Sequence, residues 1–469
     1  MGETTPGIVT RRRNTELALT VLAVLLGVAG SATAGLALDG RVPARLPTAA
    51  AVLGALALAA HLAVRRFARY ADPLILPLAV VLSALGVMLI ARLDPSYAMA
   101  YGSPPKAPNQ VMWLAVAGVG FIAVVALLRH HRLLQRYSYV TMAGALVLLM
   151  APAFFPGDVY GAKRWIRLPG MTVEPDEFVK LAITVFFAAY LMANRDALAL
   201  VGRRVWGLSL PRGRNLGPVL AIWAVSLLVL VFERDLGTSL IFFGIFVIML
   251  YVATERTGWV VFGLLMAAGG AVVVGSLEPH VHGRVVAWLH PMAALLPQNQ
   301  ARGMSQQAAQ ALFSFGSGGV LGTGLGHGHP WLIGFAGQSD FILTTVGEEL
   351  GLAGVTAVLM LYVLLVERAV RTALVLTDPF GKLLAAGLAT SLALQVFVVA
   401  GGVTGLIPLT GKALPFLAAG GSSMVSNWLL VAILVKLSDA AGRTRYADAV
   451  PRPVSAAEAL TAAVPRVVG

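Results

Sequence analysis

Long apolar runs, separated by shorter polar connections, recur from one end of the 469-residue chain to the other. Apolar runs of about 18 or more residues are typical of transmembrane helices, because about 20 helical residues span the hydrocarbon core of a bilayer. The pattern predicts an all-α polytopic membrane protein with about twelve transmembrane helices, near residues 15–36, 48–64, 73–92, 110–128, 137–155, 177–194, 216–232, 236–254, 257–276, 341–366, 383–402 and 413–437.

The composition supports a membrane protein and excludes several other classes. Hydrophobic residues make up 58% of the chain and charged residues 12%, with a mean hydropathy of +0.81, unlike a soluble domain. The chain contains no cysteine, so disulfides and thiolate metal sites are excluded. The net charge of +13 could suit a nucleic acid, but Lys and Arg collect in the cytoplasmic loops of membrane proteins. We therefore expect no nucleic-acid partner.

The basic residues predict how the chain is oriented in the membrane. Arginines cluster before the first apolar run, after the second and after the fourth, at residues 11–13, 65–69 and 129–136. Because basic residues favour the cytoplasmic side, both termini are predicted to be cytoplasmic. At the N-terminal end we expect a cytoplasmic segment 1–14 followed by membrane helices 15–92, and at the C-terminal end a disordered cytoplasmic tail 438–469.

This orientation places residues 277–340 outside the membrane, as a large loop between the ninth and tenth spans. Loops of this length are usually functional. Residues 309–328 of the loop are apolar and glycine-rich, which predicts helical or re-entrant pieces that lie against the membrane. A second segment, 401–423, is apolar but interrupted by Gly and Pro. Such a segment is either a substrate site or hinge, or a tight hairpin with closely packed small residues.

The stretch "GAKRWIRLPGMTVEPDEFVKLAITV" carries a charged pair into the sixth span. Glu177 and Lys180 are three residues apart, so they share one face of the helix just inside the membrane. Charges at this depth must be paired or face a cavity, which favours a functional site over a structural ion pair. Upstream, Arg164 and Trp165 belong to a basic, aromatic rim that suits either a phosphate-bearing lipid head group or interfacial anchoring.

Further acidic positions are candidates for the same cavity. Asp235, in "FERDLGTSL", stands where it could cap the eighth span or line a polar wall. Asp340 precedes the tenth span, and Glu348 and Glu349 follow within it. Adjacent carboxylates on a helix point in different directions, so at least one of them should find a partner or the cavity.

Histidines are concentrated in the exterior loop but make a weak case for a metal. No Asp or Glu occurs between Glu278 and Asp340, so a His-only ligand set would be required. We predict no metal centre and no certain cofactor, and we leave open a divalent cation bound during the reaction. The histidines concerned are His280, His282, His290, His327 and His329.

Five motifs, in this order along residues 110–437, resemble the SEDS family, which contains the FtsW and RodA proteins. They are "GA-x-RW…P-x-E-F-x-K", "DLGT", "Q-x-x-x-x-F-G-S-G-G-hhG-x-G", "DFI…GEELG" and "G-hhP-x-T-G-x-x-hPF…GGSS". The resemblance implies a core of about ten helices with the loop 277–340, and two additional N-terminal spans that favour the RodA-like branch. It also implies a protein of the bacterial plasma membrane that polymerises the peptidoglycan precursor lipid II during cell-wall elongation or division.

The resemblance assigns expected roles to individual residues. Glu177, Lys180 and Asp235 would line the central cavity, with Arg164 and Trp165 at its exterior mouth. Gln310, Asp340 and Glu348 match further motif positions and are expected to contribute to substrate binding. The partner implied by the family is a class B penicillin-binding protein, which crosslinks the new glycan strands, and membrane lipids surround the chain.

The loop departs from the family pattern at the position of greatest chemical interest. Members of the family usually carry "W-h-D-P-x-x-D-P-x-G-x-G-Y-Q-x-x-Q-S", and the aspartate of the second D-P is taken as catalytic. Aligned through Gln310, this chain has Gln300 at that position, and His290 replaces the earlier aspartate. A glutamine cannot act as a base. Either the loop aligns differently, or His290 or Glu278 substitutes, or the chain does not polymerise.

Three functions therefore remain open from the sequence. The first is a lipid II polymerase with a non-standard base. The second is a flippase for a lipid-linked precursor, and the third is a catalytically silent scaffold that activates a class B penicillin-binding protein. Charged residues in a membrane cavity are difficult to explain without a polar ligand, so the sequence favours the enzyme.

Overall fold

The computed structural model describes residues 5–154, 165–168, 171–199, 201–205, 208–211, 235–277, 279–301 and 306–449. The helices in these ranges are α1 Thr5–Asp39, α2 Leu46–Phe67, α3 Ile75–Tyr101, α4 Ala107–Leu127, α5 Arg132–Arg136, α6 Ser138–Met150, α7 Asp176–Ala199, α8 Leu236–Thr254, α9 Thr257–Leu277, α10 Pro279–Leu289, α11 Pro297–Ala301, α12 Gln307–Gly318, α13 Ile342–Val375, α14 Pro379–Val403 and α15 Gly421–Ala449.

Two short antiparallel hairpins accompany the helices. Strands β1 (Ile166–Leu168) and β2 (Met171–Val173) pair just before α7, and strands β3 (Val201–Val205) and β4 (Leu208–Pro211) pair just after it. Four short 3-10 turns, Ala151–Phe154, Pro291–Leu295, Pro330–Ile333 and Phe335–Gln338, complete the regular structure of the described residues.

The apolar runs of the sequence form membrane-spanning helices. Within the described ranges, eight helices are long and apolar enough to cross a membrane, namely α1–α4, α8 and α13–α15. The helix α6 and the apolar part of α9 are shorter, and α7 coincides with the predicted span 177–194 but begins with charged residues. The predicted span 216–232 lies outside the described residues. The all-α polytopic class is confirmed, and the number twelve stays a prediction.

The predicted boundaries of the last span were wrong. The sequence placed it at 413–437, but α15 begins only at Gly421, and residues 404–420 are not helical. At its other end α15 continues to Ala449, so residues 438–449, predicted as part of a disordered tail, are helical. Gly405, Gly411 and Phe416 adopt positive φ angles in this stretch, which a right-handed helix does not accommodate. The Gly/Pro-broken segment is therefore an extended connection, and it passes through the interior of the bundle, where Leu414 and Phe416 are buried.

The N-terminal helices pack through small residues. Glycines 27 and 30 of α1 face Ala84 and Met88 of α3, and a Cβ at either glycine would lie within 2.7 Å of those side chains. The opposite face of α1 exposes apolar side chains, including Leu25 at 58%. In a bilayer such a surface contacts lipid tails, so α1 lies at the periphery of the bundle.

The loop 277–340 is anchored to a break in α13. The break lies at Gly351, which has φ +68. Around it, the residues that follow α12 pair with the backbone of α13 through hydrogen bonds of 2.9–3.0 Å. The N–H groups of Thr323 and Gly324 donate to the carbonyls of Glu348 and Glu349, and the Leu352 N–H donates to the Gly319 carbonyl. A Cβ on Gly322 would lie 2.2 Å from the carbonyl oxygen of Glu349, which explains the glycines of this motif. Helical and non-helical pieces therefore both occur in segment 309–328.

A polar contact at the opposite end of the bundle holds the start of α14. The carboxylate of Asp378 accepts hydrogen bonds from the Gly381 N–H, His131 Nε2 and Arg132 Nη2 at 2.8–2.9 Å. Burial alone would raise the pKa of Asp378, but these hydrogen bonds outweigh it and hold the pKa below its ordinary value. The contact joins α14 to the α4–α6 connection.

Candidate functional site

The first turn of α7 places three charged side chains in the interior of the bundle. Pro175 immediately precedes the helix, and its carbonyl accepts the Val179 N–H at 3.1 Å. Asp176 and Glu177 follow, near the positive end of the helix dipole, and Lys180 comes one turn later. All three side chains are at least 95% buried. Buried charge is tolerated only when it is paired, and the geometry shows how each is paired.

Lys180 is held by three side chains from three helices. Its Nζ donates to Glu177 Oε2 and Gln395 Oε1 at 2.5 Å each, and to Asn427 Oδ1 at 3.3 Å. Gln395 completes the network because its Nε2 donates to Glu177 Oε1 at 3.1 Å. Glu177 and Lys180 share one face of the helix, as predicted, and they form the structural ion pair that the sequence made the less favoured interpretation. The functional role of the pair stays a prediction. The contact also draws α14 and α15 against α7.

A second lysine joins the site from the broken segment. Lys412, 3% exposed, contacts Asp235 Oδ2 at 2.8 Å and forms an ion pair with Asp176 Oδ2. Asp235 also caps α8, since its Oδ1 accepts the Thr238 N–H at 3.0 Å, and the Thr238 hydroxyl donates to Asp176 at 2.8 Å. The capping interpretation of Asp235 holds, because one of its carboxylate oxygens caps the helix. The other oxygen contacts Lys412, and the role of Asp235 in the cavity wall stays a prediction.

The site is a narrow cavity with room for about one water molecule. Its lining contains two carboxylates and two ammonium groups, and Asp235, which contacts Lys412 but does not line the cavity, brings the whole cluster to a formal charge of −1. Among the described residues, Asp176 Oδ1 is buried without a hydrogen-bond partner. An anionic ligand could engage the ammonium groups only by displacing carboxylates, whereas a hydroxyl could donate to Asp176 directly. The lining residues are Asp176, Glu177, Lys180, Thr238, Ile241, Phe242, Gln395 and Lys412.

Four members of this cluster were not assigned to the site from the sequence. They are Asp176, Gln395, Lys412 and Asn427. A signal was present, since polar side chains inside apolar spans are costly and mark functional positions.

Glu348 and Glu349 are buried, but their contacts are with the loop. Glu348 Oε1 accepts the His329 N–H at 2.5 Å, and its Oε2 is buried without a partner. Glu349 forms a fully buried ion pair at 2.5 Å with Arg92 of α3, and Arg92 also donates to the Gly328 carbonyl at 2.8 Å. These carboxylates anchor residues 319–329 to α3 and α13, and the expected binding role of Glu348 stays a prediction.

The remaining expected residues lie around the loop or outside the described part of the chain. His290 is exposed at the start of a 3-10 turn, and Gln310 is partly buried on α12. The backbone of Gln300 lies in the short helix α11. Asp340 accepts the Ser339 hydroxyl at 2.9 Å near the start of α13. Two expected residues, Arg164 and Glu278, fall outside the described residues.

Trp165 borders the start of α7 through the β1–β2 hairpin. Its indole Nε1 donates to Glu174, and the Glu174 N–H donates to the Ser422 hydroxyl at 2.8 Å. Ser422 lies at the start of α15. The hairpin is thus held beside the two helices that carry Lys180 and Asn427, and the expected position of Trp165 at the cavity mouth stays a prediction. Among the described residues, no group of three or more His, Asp or Glu side chains is arranged to hold a metal ion.

Comparison with known proteins identifies the class. The family model of the FtsW, RodA and SpoVE proteins, described as cell cycle proteins, matches residues 72–442. The chain belongs to this family, and helices α1 and α2 precede the matched segment.

Individual relatives place the chain in the RodA-like branch. The peptidoglycan glycosyltransferase RodA of Mycobacterium tuberculosis is 44% identical over 443 residues, which cover 94% of this chain and 93% of the relative. The RodA of Mycobacterium leprae is 42% identical and covers 97% of both chains. A probable peptidoglycan glycosyltransferase FtsW of Geobacter sulfurreducens is 34% identical and covers 80% of this chain and 96% of its own.

Solved structures show the same fold. One is a chain of a peptidoglycan synthase complex that coordinates polymerization and crosslinking, with a TM-score of 0.59 and 23% identity. Another is the rod shape determining protein RodA of Thermus thermophilus, with a TM-score of 0.53 and 21% identity. Each match covers 80% of this chain and 98% of the other.

Proposed function

We propose that this protein is a peptidoglycan glycosyltransferase that polymerises lipid II at the outer face of the bacterial plasma membrane. The proposal is supported by 44% identity, over most of the chain, to RodA proteins that bear this name. The observation that carries it is the buried cluster of Glu177, Lys180, Asp176, Asp235 and Lys412. Charged residues in the interior of a membrane bundle are rare and typically mark the site of a polar ligand.

The chemistry explains why both signs of charge are needed. A sugar hydroxyl of one disaccharide attacks the anomeric carbon of another, the bond to the lipid pyrophosphate breaks, and the hydroxyl proton passes to a base. The departing pyrophosphate gains negative charge at the leaving oxygen, so nearby ammonium groups stabilise it. Lys180 and Lys412 suit the second task, provided that the ligand takes over contacts now made by the carboxylates.

The base is the open part of the mechanism, because residues 279–339 contain no Asp or Glu. His290 is exposed on the loop and can accept a proton in its neutral form. Glu278 is the second candidate from the loop. Asp176 is the third candidate, because its Oδ1 is buried and has no hydrogen-bond partner among the described residues.

The test is glycan polymerisation from purified lipid II, with a co-purified cognate class B penicillin-binding protein. Wild type is compared with His290→Ala, Glu278→Ala, Asp176→Asn and Gln300→Asp, and Gln298→Ala, exposed on the same loop, serves as the control. We expect polymer from wild type and from the control, and a loss of at least about 100-fold in one of the first three variants. Wild type without polymer, together with activity in Gln300→Asp, would contradict the proposal.

A silent scaffold is the second candidate, because glutamine stands at the position aligned with the family aspartate. A scaffold would leave lipid II unpolymerised and still raise crosslinking by the penicillin-binding protein. A precursor flippase would instead move labelled lipid II across vesicles without polymerising it. The same purified protein, assayed for these three activities, separates the alternatives.

We further propose that both termini are cytoplasmic, that membrane lipids surround the bundle and that a class B penicillin-binding protein is the partner. The absence of cysteine makes the orientation easy to test with single cysteines. Ser317→Cys lies exposed on α12, and Arg445→Cys lies exposed near the end of α15. A membrane-impermeant maleimide should label the first variant in intact cells and the second only after permeabilisation, and the reverse would overturn the orientation.

A further inference from the structure

A basic cavity lies at the end of the bundle where α1 begins and α2 ends. Its volume is about 390 Å³, and four of its lining residues are Arg13, Arg65, Arg66 and Arg69. It shares no lining residue with the cavity around Lys180. It also precedes residue 72, where the family match begins, so the family resemblance assigns it no role.

Arg13 forms the buried wall of this cavity and is only 2% exposed. Its Nη1 donates to Glu16 Oε2 at 2.5 Å, and its Nη2 donates to the Ala71 carbonyl. Its Nε is buried, and no hydrogen-bond partner for it is found among the residues that the structure describes. A buried donor without an acceptor is costly, so an acceptor oxygen placed in the cavity would stabilise this arrangement.

The cavity carries an excess of positive charge. Glu16 is the acid that contacts Arg13, and it is shared with His61, whose Nδ1 lies 2.8 Å from Glu16 Oε1. Arg65, Arg66 and Arg69 are exposed, and no ion pair to them is found in the described part of the chain. Three guanidinium groups without a carboxylate favour a ligand with several anionic oxygens, which the planar guanidinium binds through paired hydrogen bonds.

The walls of the cavity are held in place before any ligand binds. The connection from α2 to α3 is fixed to α15, because the Tyr70 N–H donates to Asp439 at 2.9 Å and the Asp72 N–H donates to Ser438 at 2.8 Å. Arg13 is bonded to the same connection through Ala71. Such a preformed site binds with a smaller loss of conformational entropy.

The surface beside the cavity indicates which kind of molecule carries the anionic oxygens. Leu58 and Leu62 precede Arg65 and Arg66 at helical spacing on α2, and they are 49% and 53% exposed. Arg69 lies two residues after the end of α2. In a bilayer this stripe contacts acyl chains, and the arginines of the last turn lie at the level of the head groups. Apolar chains below and guanidinium groups above match a lipid with a phosphate head.

We propose that the cavity between α1 and α2 binds the phosphate of an anionic phospholipid, with its acyl chains along Leu58 and Leu62. The phosphate oxygens accept hydrogen bonds from Arg13 Nε and from the exposed arginines. The bound lipid joins the two N-terminal helices to the α2–α3 connection and, through it, to α15. This site is independent of the proposed glycosyltransferase function.

The experiment titrates the purified full-length protein, in uncharged detergent, with tail-labelled phosphatidylglycerol. Phosphatidylcholine with the same tails and inorganic phosphate as a competitor form the other arms. The triple variant Arg65→Gln/Arg66→Gln/Arg69→Gln removes the exposed arginines and leaves Arg13 intact. The control Arg129→Gln/Arg136→Gln/Arg195→Gln removes the same number of exposed arginines elsewhere on the chain.

We expect saturable binding of one phosphatidylglycerol by wild type and by the control, with weaker binding of phosphatidylcholine. The cavity variant should bind about 100-fold more weakly, from roughly fivefold for each arginine. Equal losses in both triple variants would show unspecific attraction and would overturn the proposal. Inorganic phosphate that displaces the lipid at millimolar concentration would make a soluble phosphate the ligand, which also contradicts it.

Discussion

Removal of the Lys412 ammonium offers a direct test of how the buried cluster is balanced. Lys412 is 3% exposed and contacts both Asp176 and Asp235, the latter at 2.8 Å. The change Lys412→Met keeps the apolar stem and leaves two buried carboxylates without their cation. Breaking a buried ion pair on one side typically costs about 3–5 kcal/mol, a large part of a total stability of about 5–15 kcal/mol.

A double variant, Lys412→Met/Asp235→Asn, separates the loss of charge balance from the loss of packing. In Lys412→Met/Asp235→Asn only one carboxylate, Asp176, loses its cation, and it still accepts the Thr238 hydroxyl at 2.8 Å. We expect the double variant to recover about 0.5–3 kcal/mol relative to Lys412→Met, the usual range for coupled neighbours. Lys382 is exposed, so Lys382→Met is the matched control and should change stability by about 0.5 kcal/mol or less.

Unfolding in mixed micelles of dodecyl sulfate and maltoside, followed by circular dichroism, measures these differences. We expect stability to decrease in the order wild type, Lys382→Met, the double variant and Lys412→Met. If Lys412→Met unfolds together with Lys382→Met, the ammonium does not balance the carboxylates. A double variant less stable than Lys412→Met would also contradict the charge balance, because Asp235→Asn keeps a side-chain oxygen that can cap α8.

Three further predictions concern the site, the loop anchor and the far end of the bundle. Lys180→Ala should reduce polymerisation at least about 100-fold while the protein still inserts, as measured with lipid II and by membrane fractionation; normal activity would exclude a role of this cavity in the reaction. Arg92→Met should destabilise the fold by about 3–5 kcal/mol and expose residues 319–329 to protease, because it leaves Glu349 buried without its cation. Adding Glu349→Gln should restore part of the lost stability. Equal proteolysis of the single and double variants would contradict the ion pair. The pKa of Asp378 is lowered, so its contribution to stability is present above the ordinary carboxyl pKa of about 4 and is lost as the pH falls through the lowered value. The difference in melting temperature between wild type and Asp378→Asn should therefore be constant from neutral pH to about 5 and shrink at lower pH. A difference that does not depend on pH would refute this prediction.

Much of the fold follows from local properties of the chain. A run of apolar residues such as 236–254 can satisfy its backbone hydrogen bonds in lipid only as a helix, and α8 has those bounds. The pairing of Glu177 with Lys180 also follows from local geometry, because residues three apart on a helix are neighbours. The start of α15 could not be read in the same way, since residues 413–420 are as apolar as the helix that follows.

The sequence alone determined the membrane class and the family resemblance, and it identified Glu177, Lys180 and Asp235 as candidate residues of the site. Only the tertiary structure decided that Lys412 joins Asp176 and Asp235, because these contacts link distant parts of the chain, with 236 positions between Asp176 and Lys412. It likewise decided that Glu349 meets Arg92 rather than the cavity, and that Arg13 stands beside the arginines of α2. Periodicity specifies which face of a helix is polar, but the packing of all the helices determines which polar faces meet.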